Sequence, residues 1–203
     1  HLCDRRQRQM CIRDRAYTSR KASKLSDTFA LSALKRIVKY LPQAYLDGSN
    51  AEAREEMALA ALEAGIAFNN ASVTVVHGMS RPIGALFHVP HGISNAMLDE
   101  ACFAYILDGA YDRFGQLARE LGRANPDDSD QAASEKFLEI VKELCRVCEI
   151  PTLEQYGIEK DRFMEQLEKM ASDAMESGSP SNTRKPLDKE DLIRIYQSLW
   201  NVE

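Results

Sequence analysis

The stretch AEAREEMALAALEAGIAF, residues 51–68, decides the fold class. It contains no proline and opens behind Ser49 and Asn50, either of which can cap a helix. Its apolar side chains recur at helical rather than alternating spacing. Ala58, Ala60, Ala61, Ala64, Gly65 and Ala67 are small, which predicts a helix packed closely on several sides. The same pattern repeats on both flanks. Upstream, Ser26 precedes a stripe of Phe29, Leu31, Leu34, Ile37, Val38 and Leu41, closed by Pro42. Downstream, Ser72 to Phe87 reads as a helix kinked at Pro82. Pro90-His91-Gly92 opens another helix that runs to about Leu107, and Tyr111 to Leu121 forms a shorter one. Asn125 to Ser129 is a turn and cap before a helix bearing Phe137, Val141 and Leu144. Phe163 to Ala174 is one further stripe, Ser177 to Arg184 a polar loop, and Asp188 caps a last helix with Leu192, Ile195, Tyr196 and Leu199. Only Val73 to Val76 alternates at period two, which is too short for a strand. The expected fold is all-α, a helical bundle over residues 16–203.

Composition narrows the partners. With 44% hydrophobic and 28% charged residues in 203, the chain can bury a core and stay in solution. No apolar run approaches the ~18–20 residues a bilayer-spanning helix needs. A net charge of −5 argues against nucleic acid as the main partner.

The first fifteen residues, HLCDRRQRQMCIRDR, differ from the rest. They hold five Arg and two Asp and show no apolar stripe. Met10 to Arg15 can be encoded by a transposase-end adapter sequence, and position 1 is not Met. Residues 1–15 are therefore expected to be non-native and disordered, the alternative being a basic, disordered arm, and the chain is expected to be a fragment. Of the five cysteines, Cys3 and Cys11 fall in that segment. Cys102, Cys145 and Cys148 are an odd number without a secretion signal, the usage of a reducing cytoplasm. Cys145 and Cys148 have redox-motif spacing, but they continue the Phe137–Val141–Leu144 stripe at a helix C-terminal end. They read as buried helical residues, because a reactive pair favours a helix N-terminus.

The histidines carry the chemistry. His77, His88 and His91 fall within fifteen residues of one another. Imidazole is a common transition-metal ligand near neutral pH. His77 lies inside one predicted helix and His91 at the first turn of the next, so a bend between them would aim both rings at one ion. Gly78, Gly84 and Gly92 would let backbones approach there. The alternative is two partly buried histidines satisfied by hydrogen bonds.

The stretch VHGMSRPIGALFHVPHGISNAML, residues 76–98, resembles the histidine motif of the iron-containing (group III) alcohol dehydrogenases. Residues 16–34, 52–72 and 177–185 resemble the same family, so the likeness covers 16–203. The resemblance implies a two-domain enzyme in which an N-terminal α/β domain binds NAD or NADP. A C-terminal helical domain holds Fe²⁺, alternatively Zn²⁺, and this chain is similar to that domain alone. The metal ligands it implies are an Asp and three His. Two match His77 and His91; the other two should fall at positions 8 and 12, which hold Arg8 and Ile12. Many relatives have a second His four residues after the first ligand, and here that position is Arg81. Arginine cannot serve as a base near neutral pH, but it can bind a carboxylate or a cofactor phosphate, or cover a helix surface. His88 is expected in a solvent-facing or supporting role. The resemblance implies an alcohol or aldehyde substrate and leaves room for a homo-oligomer. The competing expectations are a polyol dehydrogenase or synthase of the same architecture, and a helical interaction domain whose histidines are core residues.

Overall fold

The computed structural model describes residues 16–200. The expected features of residues 1–15 lie outside them. Nine α-helices are described: α1 (Lys24–Leu46), α2 (Ala51–Ala71), α3 (Val75–Phe87), α4 (His91–Ile106), α5 (Tyr111–Glu120), α6 (Asp130–Val147), α7 (Lys160–Glu165), α8 (Leu167–Glu176) and α9 (Lys189–Ser198). Two short 3₁₀ turns join them. The one extended pairing among the described residues is an isolated bridge between Ser19 and Thr183. The fold is all-α, as expected, and no single described helix is long and apolar enough to cross a membrane.

Several boundaries differ from those expected, each for a local reason. Helix α1 starts one turn earlier than Ser26. Ser23 is the cap and Ser26 reciprocates from the third helical position in a capping box. Pro42 does not end the helix, which continues to Leu46. Proline removes one internal donor, its own N–H, and the helix still completes a further turn beyond it. Helix α3 begins at Val75 rather than Ser72, because Ser72 takes a left-handed φ of 63° and turns the chain through 107° between α2 and α3. The stripe from Phe163 to Ala174 is two helices, α7 and α8, divided at Gln166.

Helices α1 and α2 form an antiparallel hairpin. Ala53, Ala60, Ala64, Ala67 and Ala71 are fully buried on α2, beside Ala30, Ala33, Ile37 and Leu41 of α1. Small side chains let the two axes approach closely. The larger side chains occupy the other half of the core. Phe103, Phe114 and Phe137 pack against one another, Phe103 edge-on to the other two, with ring centroids 5.4–6.3 Å apart, where α4, α5 and α6 meet. Phe163 packs edge-on against Tyr196 and Trp200, joining α7 to α9 and to Trp200 just beyond it. Arg113 ties the beginning of the described chain to this core. Its guanidinium lies 3.6 Å above the Tyr17 ring, donates to the Tyr17 carbonyl at 2.7 Å, and pairs with Asp27 at 2.5 Å.

Candidate metal centre

His77 is the third residue of α3 and His91 the first of α4. What brings them together is the tight reversal between the two helices. His88 adopts a left-handed φ of 55° and closes α3; Pro90 then stands at the cap of α4. The two imidazoles meet edge to face with centroids 4.6 Å apart. His77 is half-buried and His91 exposed, so the pair sits at the surface end of the corner with access from solvent. The bend expected from the sequence thus places both rings at one point.

The corner is held in place from far along the chain. Thr74 stands at the cap position of α3, yet its hydroxyl makes no cap bond. The Thr183 hydroxyl, 108 residues away, accepts from the Val75 N–H at 3.1 Å instead. Asn182 donates to the Val73 carbonyl at 3.0 Å and to the Ser72 hydroxyl at 3.1 Å. Ser19 donates to the Ala71 carbonyl at 2.6 Å. The polar loop of residues 177–184 is therefore a clasp on the helix that carries His77. Gly78 admits it: a methyl group there would stand 3.0 Å from Pro180 and 3.2 Å from Ser177 and Ser179. One residue on, the buried Tyr196 hydroxyl donates to the Met79 carbonyl at 2.7 Å. Burial pushes the Tyr196 pKa well above its usual value, so the phenol keeps the proton it donates.

Asn95 was not among the sequence candidates. It is buried one turn after His91, its amide donating to the His91 carbonyl at 2.5 Å and lying 3.1 Å and 3.3 Å from the two ring nitrogens. The signal was present as an i, i+4 spacing on one helix face. Arg81 lies one turn after His77 and is exposed. His88 is exposed at the turn that ends α3. Cys102 and Cys148 are buried, while Cys145 is half-buried and lines a groove of about 750 Å³ with Met97, Lys142, Ile150 and Leu199. That groove involves neither histidine.

A metal fits this corner in part. Two converging imidazoles are suitable donors for Fe²⁺ or Zn²⁺, but no group of three or more His, Cys, Asp and Glu that could hold an ion occurs among the described residues. Positions 8 and 12 lie outside those residues.

Residues 15–200 match the Fe-containing alcohol dehydrogenase family, C-terminal. The chain belongs to that family. It is 36% identical over 187 residues to the 1,3-propanediol dehydrogenase of Citrobacter freundii, covering 91% of this chain and 47% of that protein. It is also 36% identical over 193 residues to the bifunctional aldehyde-alcohol dehydrogenase of Escherichia coli (strain K12), covering 86% of this chain and 22% of the relative. The crystal structure of a 1,3-propanediol oxidoreductase superposes with a TM-score of 0.88 at 30% identity, over 94% of this chain and 49% of that one. The alcohol dehydrogenase from Oenococcus oeni superposes with a TM-score of 0.87 at 29% identity, over the same shares of the two chains. The chain thus spans half or less of the length of these relatives.

Proposed function

We propose that this chain is the metal-binding helical half of a cytoplasmic, NAD- or NADP-dependent alcohol dehydrogenase that interconverts an alcohol and an aldehyde or ketone by hydride transfer. The observation that carries this reading is the convergence of His77 and His91 at 4.6 Å on two helix starts, in a chain of this family. The two imidazoles would hold Fe²⁺, or Zn²⁺, as part of a larger ligand set. When bound, the metal supplies Lewis-acid polarisation of the substrate oxygen. The protein's own residues set the geometry. Asn95 fixes the His91 backbone and ring, and the Thr183 and Tyr196 contacts fix the helix that presents His77. Arg81 stands where many relatives have a histidine, and because it stays charged it binds and orients rather than relaying a proton. By itself the chain carries no Gly-rich phosphate-binding turn in residues 16–203, so we expect it to be inactive without a nucleotide-binding partner half.

The test joins the N-terminal half of the Citrobacter freundii enzyme to residues 16–200 of this chain. Supplied with Fe²⁺ or Zn²⁺, the fusion is expected to reduce NAD or NADP in the presence of short alcohols, and to lose that activity in His77→Ala or His91→Ala. A folded, metal-loaded fusion that oxidises no alcohol in a broad panel and reduces no aldehyde contradicts the reading.

A further inference from the structure

The segment that carries the two histidines has an unusual charge pattern. From Ala71 to Leu98 it contains no Asp or Glu, and its single formally charged side chain is Arg81. The chain as a whole carries −5. Among the described residues, Arg36, Arg113, Arg119, Arg123, Arg184 and Arg194 sit in ion pairs with carboxylates, and Arg81 does not. Arg81 is exposed on the same face of α3 as His77, four residues on, a rise of about 6 Å along the axis. A neutral or acidic residue there would leave the corner attractive to any short alcohol. An arginine instead presents a planar fork of donors suited to two carboxylate or sulfonate oxygens.

We propose that Arg81 determines specificity by selecting substrates that carry an anionic group two or three carbons from the reacting alcohol or aldehyde: short hydroxy acids, their aldehyde-acid partners, or sulfonate equivalents. The reacting oxygen is directed to the His77–His91 corner while the carboxylate or sulfonate pairs with Arg81. The i, i+4 spacing sets the His77 and Arg81 side chains one helical turn apart on the same face. A cation with no carboxylate paired to it among the described residues, on the helix face that carries His77 and in a chain of net charge −5, also raises the local concentration of small anions. The inference rests on the dehydrogenase reading for the chemistry performed, but the anion preference belongs to Arg81 itself.

The experiment uses the full chain with saturating Zn²⁺ and follows the imidazole C–H signals of His77 and His91 by NMR. The probes are 3-hydroxypropionate and its neutral analogue 1,3-propanediol, with NAD and NADP in separate titrations. In the wild type the rings should respond to 3-hydroxypropionate at about fivefold lower concentration than to the diol, the scale of a partly solvated ion pair. Arg81→Gln should abolish that preference and Arg81→Lys should retain part of it. Equal midpoints in the wild type, no response to either probe, or a preference that survives Arg81→Gln overturns the proposal. So does an Arg81-dependent response to NADP with none to 3-hydroxypropionate, which would assign Arg81 to a cofactor phosphate. Failure of the dehydrogenase reading would show separately, as a fusion that turns over neither neutral nor anionic alcohols. An active fusion that is indifferent to Arg81→Gln with 3-hydroxypropionate overturns this inference alone.

Discussion

Two helix-interior glycines, Gly65 in the α1–α2 hairpin and Gly78 in the α3–α4 corner, show how differently the two regions are held. A methyl group added at Gly65 meets nothing within 4 Å, whereas one at Gly78 meets the 177–180 loop at 3.0–3.2 Å. The hairpin is a local structure. Its two helices are neighbours in sequence, packed through alanines and tied by Arg36 to Glu56 and Glu63. It leaves Leu59 and Leu62 exposed. The corner has no carboxylate of its own before Asp99, and its position depends on Ser19, Asn182, Thr183 and Tyr196. Its geometry is therefore a tertiary property. The histidines can be disturbed by changes more than a hundred residues away, while changes in the hairpin should leave them unmoved.

Four substitutions test that contrast. The largest effect is expected from Gly78→Val, which drives a branched side chain into Pro180 and Ser179 and should cost about 1–3 kcal/mol by overpacking. Thermal or urea unfolding reads the loss, and the His77 signals should shift with it. Thr183→Val comes next. It leaves the buried Val75 N–H without its acceptor, at a cost on the order of 1–2 kcal/mol. The local-hairpin account is broken if this change leaves the His77 environment untouched while altering α1 and α2. Tyr196→Phe removes the 2.7 Å bond to Met79 and should cost roughly 0.5–1.5 kcal/mol. In the hairpin the sign reverses. Gly65→Ala meets no obstacle and gains helix propensity, so a stabilisation of about 0.5–1 kcal/mol is expected, with no change at either histidine.

The helices were legible because each carries a stripe and a cap that act locally. Asp188 is an example: it caps α9 with the reciprocal bond from Asp191. The reversal before Pro90 was legible for the same reason, and so was the meeting of His77 and His91. Features decided by contacts distant in sequence were not. Thr74 has the right side chain and position for a cap, but Thr183 does the capping. The loop of residues 177–184 reads as a polar connection, and its role as a clasp appears only once Gly78 and the Ser72 turn are placed in space. The left-handed Ser72 has no glycine or asparagine to announce it, since its conformation is supported by the bonds from Asn182 and the helix end. Asn95 was overlooked because a buried amide beside a histidine gains meaning only after the ring is positioned.

The central claim is that His77 and His91 form one metal-binding unit supplied by this chain. The most direct test is a Zn²⁺ titration of the chain, monitored at the His77, His88 and His91 imidazoles by NMR. The His77 and His91 signals should move together with a single midpoint, and either alanine substitution should remove the response of the other ring. His88→Ala should change neither. Separate midpoints for His77 and His91, or a His88 ring that responds as strongly as they do, would contradict the claim.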